Sequence, residues 1–171
     1  MIKKPTILIL SALMIASCTN NTQENNPDLA SKIEAVDAKP ASSVVDNTAV
    51  LIGDDFNGNG IRDYIETAID ALAITDNQKD AVKFSAKALQ NTILIDISDD
   101  AALKASSEQL MASIGCMSLR FADYEDNESL FFSLEDETFD TEARKEAYNR
   151  YNIAQSGATA TLPTGNPCDG V

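Results

Sequence analysis

Histidine is absent from all 171 residues, and basic residues are scarce, with 13 Lys and Arg against 27 Asp and Glu and a net charge of −14. Without histidine, a catalytic thiol loses its usual activating neighbour, and no nucleophile–base set is evident. So acidic a chain has no electrostatic route to phosphate backbones, which excludes nucleic-acid binding. An anionic membrane surface would repel it in the same way. No apolar run is long enough to span a bilayer as a helix: Ile7 to Ala16 has ten residues. Strand alternation of useful length and internal repeats are also missing, so helices remain as the building material.

The ten-residue run has a different use. Lys3 and Lys4 precede it as a basic n-region, and together they form a signal peptide. The run ends in Ile15-Ala16-Ser17-Cys18, which resembles the lipobox of bacterial lipoproteins. The resemblance implies that residues 1–17 are removed and that Cys18 is acylated, anchoring the chain to a membrane of the bacterial cell envelope. Thr19 stands where aspartate would retain such a protein at the inner membrane, so the implied address is the outer membrane. Loss of residues 1–17 removes two lysines and no acid, leaving 11 Lys and Arg against 27 Asp and Glu, a charge of −16. A basic partner or a divalent cation suits that charge.

With Cys18 taken by lipid, Cys116 and Cys168 are left as a disulfide pair in an oxidising compartment. Closing a loop of about 52 residues contributes on the order of 4 kcal/mol in the chain-entropy picture.

Residues 18–48 are rich in Asn, Thr, Ala, Ser, Asp and Pro and read as a flexible tether; residues 49–171 read as one helical domain. Ala49–Ile52 reads as a short extended piece, so no helix enters the acidic stretch that follows. Ile61, Ile65, Ala68, Ile69 and Leu72 recur at helical spacing through about Ala73. Thr75-Asp-Asn-Gln78 is a capping box opening a helix to about Ile95, with Val82, Ser85, Ala86, Leu89 and Ile93 as its buried stripe. A third helix runs from about Asp99 to Arg120, with Leu103, Leu110, Ile114, Met117 and Phe121 toward the core. Asp123 to Glu128 reads as an acidic break, followed by a short helix around Leu130–Leu134. Asp140 or Thr141 caps a last helix to about Gln155, with Ala143, Ala147, Tyr148 and Tyr151 on one side and Gly157 as terminator. The sum is a small all-α bundle of four to five helices, preceded by a calcium-binding loop and a tether.

That loop is Asp55-Phe-Asn-Gly-Asn-Gly-Ile-Arg-Asp-Tyr-Ile-Glu66. Oxygen-bearing side chains stand at positions 1, 3, 5, 9 and 12 with glycine at 6, the register D-x-[DN]-x-[DN]-G-x5-E. Asp55, Asn57 and Asn59 supply three side-chain oxygens, Ile61 its carbonyl, and Asp63 an oxygen directly or through water. Glu66, one turn into the next helix, closes the shell with both carboxylate oxygens. Calcium favours such hard oxygens, six to eight of them. Arg62 stands at position 8 where an apolar residue is expected, and no partner loop exists. In these respects the stretch resembles the calcium loops of thrombospondin type 3 repeats and dockerins more than a sensor EF-hand. Only three of the side-chain ligands are charged, which points to weak affinity suited to millimolar calcium, and to a structural role.

The chain as a whole resembles a group of uncharacterised bacterial exported lipoproteins. The shared features are NGNGIRDYIE opening a helix, a cysteine after a long helix, and EARKEAYNRYNIAQSG followed by NPCDG. The resemblance covers roughly residues 53–170; it implies a helical calcium-loop domain with Cys116 paired to Cys168 and names no substrate. Function on this reading is that of a lipid-anchored, non-enzymatic interaction module binding another envelope protein. The alternative is an envelope hydrolase using paired carboxylates or a bound metal. Its acids would come from Asp123, Glu125, Asp126, Glu128, Glu135, Asp136 and Glu137, which in so acidic a chain more often form a solvated surface.

Overall fold

The structure, a computed structural model, describes residues 47–159, 164–169 and 171. Segment 1–17, Cys18 and the tether as far as residue 46 lie outside the described residues. Among the described residues the fold is all-α, with six helices and no strand: α1 (Asn47–Ile52), α2 (Asp63–Asp70), α3 (Asp76–Thr92), α4 (Asp100–Arg120), α5 (Tyr124–Thr138) and α6 (Glu142–Ala154). No helix among them is long and apolar enough to cross a membrane.

Short polar side chains start four of the helices by taking up N–H groups that the first turn leaves unpaired. Thr75 and Gln78 form the expected capping box at α3, each side chain accepting the other's backbone N–H. Asp99 caps α4 by accepting from Ala101 and Ala102, and Thr141 caps α6 by accepting from Arg144. Asp123 does the same for α5, its Oδ1 accepting from Glu125 at 2.8 Å and Asp126 at 3.2 Å. The acidic break expected over Asp123–Glu128 is therefore the start of a helix. Glu125 and Asp126 in its first turn complement the positive end of the helix dipole. The expected short helix around Leu130 accordingly becomes fifteen residues long.

α3 lies at the centre, with α4 along its length and α2 and α5 packed on it as well. Its stripe of Val82, Ser85, Ala86, Leu89 and Ile93 is buried as the spacing predicts. So is the face of Ile61, Ile65, Ala68, Ile69 and Leu72 around α2. From the other side come Met117 of α4 and Leu130 and Leu134 of α5. Leu103, Leu110, Ile114 and Phe121, expected in the core, are only half-buried, whereas Ser106 and Ser113 are buried on α4. The bond between Cys116 and Cys168 fixes the C-terminal tail to the end of α4. There Gly115 leaves room for Pro167, whose Cβ would stand 3.1 Å from any Cβ added to the glycine.

Two further expectations change. Ala49–Ile52 is helical rather than extended, forming part of α1, so a helix does enter the acidic loop. On α6, Ala143 is exposed and Arg144 takes the inward place beside Ala147 and Tyr151. Gly157, with φ of +84°, makes the left-handed turn expected after α6.

Leu89 has no exposed surface, and Leu89→Ala should cost about 2–5 kcal/mol in urea unfolding. Asp123→Ala should cost about 1 kcal/mol through the lost cap; an unchanged unfolding midpoint in that variant would mean that α5 does not start there.

Candidate functional site

The loop between α1 and α2 turns through a chain of side-chain-to-backbone bonds. Asp55 accepts the N–H of Asn59 on Oδ1 at 3.2 Å and that of Gly60 on Oδ2 at 2.8 Å. Asn57 Oδ1 accepts the same Asn59 N–H at 3.0 Å, and Asn59 Oδ1 accepts from Ile61 at 2.8 Å. These are Asx-type turns, the local geometry that Asn and Asp favour. Gly60 has φ of +86°, which a residue with a Cβ rarely adopts. The Asp63 carboxylate accepts from the N–H of Phe56, closing the mouth of the loop on itself.

Glu66 sits one turn into α2 and receives the other side of the loop. Asn57 Nδ2 donates to Oε2 at 2.8 Å, and Asn59 Nδ2 donates to Oε1 at 3.0 Å. A third donor, Lys83 of α3, stands 3.2 Å from Oε1 and 2.8 Å from Asp70 Oδ1. Burial acts against its ammonium, yet the bonds to Asp70 and Glu66 prevail and hold its pKa above the usual lysine value. Asp55, Asn57, Asn59 and Glu66 are thus brought together, with Asp63 bonded at the loop entrance and the Ile61 side chain in the core. Cys116 and Cys168 are bonded to one another, and Cys18 is outside the described residues.

The donor set suits a hard cation in kind. The oxygens of Asp55, Asn57 and Asn59 already hold backbone N–H groups, but each has a second lone pair. Carboxamides supply part of the set. No group of three or more Asp, Glu or Cys side chains able to hold a metal stands among the described residues, so the three expected carboxylates, Asp55, Asp63 and Glu66, do not form one cluster. Calcium coordination would rest on two carboxamide oxygens between two carboxylates, with Glu66 relieved of its present donors.

Four residues that position the loop are not ligands in the motif: Arg62, Arg144, Gln90 and Lys83. Arg62 is 1% exposed and donates Nη2 to the carbonyls of Glu137 at 2.8 Å and Thr138 at 2.7 Å, the last turn of α5. Its guanidinium carbon lies 5.3 Å from the centre of the Tyr64 ring, and Tyr64 donates its hydroxyl to the same Glu137 carbonyl at 3.0 Å. Burial pulls the Arg62 pKa down, Tyr64 opposes this, and the neighbouring Arg144 adds to it. Its presence at position 8 was the available signal. Arg144 donates Nε to the Leu51 carbonyl at 3.1 Å and Nη1 to Asp140 at 2.6 Å. Gln90 of α3 donates to the carbonyl of Ile52 at 2.7 Å. The C-terminal carbonyls of α1, which such a short helix cannot satisfy, are therefore taken up by α6 and α3. For Lys83 the signal was its place in a series at four-residue spacing, Lys79, Lys83 and Lys87. Lys79 Nζ donates to the carbonyl of Asp70 at 2.6 Å, and the stem of Lys87 lies over Gly60.

No protein-family model, curated protein or solved structure matches this chain.

Gly53 joins α1 to the loop with φ of +71°, and an added Cβ would lie 2.7 Å from Arg62 Cδ and 2.8 Å from Arg144 Nη2. Gly53→Ala should therefore lower stability by about 1–3 kcal/mol from backbone conformation alone, before the crowding of both arginines is added. Urea unfolding measures it; an unchanged midpoint would mean that α1 is not seated between the arginines.

Proposed function

We propose that this chain is a lipid-anchored protein of the bacterial cell envelope whose helical domain carries a structural calcium ion and acts as a non-enzymatic interaction module. The observation that carries the calcium reading is the folded loop itself. Asp55, Asn57, Asn59 and Glu66 turn their polar ends toward one another around a left-handed Gly60. These residues, with the Ile61 carbonyl and with Asp63 directly or through water, would hold the ion. When bound, calcium would neutralise the loop carboxylates and fix the loop to the first turn of α2. Anchoring rests on the lipobox-like Ile15–Cys18 and an acidic mature chain that needs a lipid to stay at a membrane.

The carboxylates that the hydrolase alternative would use have other occupations, which favours the module. Asp123 caps α5, Glu128 accepts from the Tyr124 hydroxyl, Glu135 is bonded to Tyr148, and Glu125, Asp126 and Asp136 are exposed. A cleft of about 380 Å³ lies where α4 begins and α6 ends, but its Glu108 is paired with Lys104 and its Gln155 is bonded to the Leu103 carbonyl.

At free calcium 100 times the dissociation constant, binding should add about 2.7 kcal/mol, a rise of roughly 10 °C in the melting temperature of the full chain in detergent relative to chelator. Glu66→Gln should abolish most of that rise. Equal melting with calcium and chelator in the unaltered protein would refute the metal reading. Crosslinking in intact envelopes that reproducibly captures no partner would refute the module.

A further inference from the structure

Among the described residues, Glu66 is the loop carboxylate that forms an ion pair with a side chain from another helix. Lys83 Nζ reaches its Oε1 at 3.2 Å, while Oε1 and Oε2 also take the amides of Asn59 and Asn57. Asp70 stands four residues along α2, on the same face as Glu66, and receives the same ammonium at 2.8 Å. A flexible four-carbon stem lets that ammonium shift between the two carboxylates without movement of either helix. A divalent cation and an ammonium cannot share Oε1 without strong repulsion at contact distance.

We propose that Lys83 is an internal counter-ion of the loop, bridging Glu66 and Asp70, one that calcium must displace from Glu66 and that Asp70, already its nearer partner, then keeps. The proposal rests on the calcium reading of the loop and concerns its regulation. Without metal, the ammonium neutralises Glu66 and keeps the carboxylate-bearing loop folded on α2. With metal, the same charge gives up Glu66 and remains paired with Asp70, one helical turn along α2. Affinity is thereby set low by a competing group inside the protein, so that the site fills only where calcium is abundant. Lys87 provides the contrast: it has the same charge one turn further along α3, with its stem over Gly60. Among the described residues its ammonium forms no ion pair with a loop carboxylate, so its charge reaches them through the general field.

Calorimetric calcium titration of the full chain in detergent, with melting curves in calcium and in chelator, tests this. Lys83→Met should bind calcium about tenfold more tightly, show a larger calcium-induced rise in melting temperature, and melt no higher than the unaltered chain in chelator. Lys87→Met should tighten binding by less than about threefold. Asp70→Asn should weaken binding in the unaltered background, since the displaced ammonium loses its berth, and should have a much smaller effect when Lys83 is already methionine. Equal tightening by Lys83→Met and Lys87→Met would overturn displacement in favour of the general field. An Asp70 effect of the same size in both backgrounds would overturn the transfer. Binding by the unaltered chain that Lys83→Met leaves unchanged would refute the proposal while sparing the calcium reading. Absence of binding in every protein would remove the calcium reading and the proposal with it.

Discussion

A guanidinium with about one hundredth of its surface exposed has to find its acceptors inside the protein, and Arg62 finds two of them at the end of α5. A helix end leaves its last carbonyls unpaired, and a buried cation is tolerated only where such oxygens converge on it. Nη2 of Arg62 takes up both carbonyls, while its Nε and Nη1 are buried without a hydrogen-bond partner among the described residues. The consequence is spatial: the residue at loop position 8 is tied to the far side of the domain, across 75 residues of chain. Since Ile61 and Arg62 are both buried, the loop can turn only in the space before them. Asp55 to Gly60 fold there and the helix of Glu66 begins directly behind.

Arg144 repeats this device at the opposite end of the same connection. Its guanidinium divides between the Leu51 carbonyl of α1 and the Asp140 carboxylate, with Gln90 taking the adjacent Ile52 carbonyl. Gly53 lies between the two arginines, in a conformation and a space that permit little else. The loop Asp55–Glu66 is thus framed by two buried cations that contact helix ends, while a third cation, Lys83, contacts the loop itself. Arg62 and Arg144 fix its position, and Lys83 balances its charge.

Much of this arrangement could be read from local pattern. The Thr75–Gln78 box and the stripes of α2 and α3 depend on neighbours within one or two turns, and each appears where the spacing places it; the Asx turns of Asp55, Asn57 and Asn59 are local in the same way. The cysteine pair followed from counting. What escaped depends on distant partners. α1 has six residues and no apolar period of its own; its carbonyls are satisfied by residues 93 and 38 positions away. Arg144 displaced Ala143 from the inner face of α6 because a buried guanidinium with fixed acceptors outweighs the few square ångströms of an alanine methyl. Asp123–Glu128 was misread because acids are equally at home in a solvated turn and in the first turn of a helix, and only the cap bond separates the two.

The seating of α1 also has a mechanical meaning. Tension applied to the chain from the N-terminal side of Asn47 reaches the domain through a six-residue helix. From there it passes into α6 through Arg144 and into α3 through Gln90. The loop beyond is shielded, because Arg144 and Gln90 hold the chain just before it and Arg62, at its eighth position, is tied to the end of α5. A pull on the N-terminus would therefore strip α1 before it distorted the oxygens of Asp55 and Glu66, leaving α1 as the mechanical fuse of the domain.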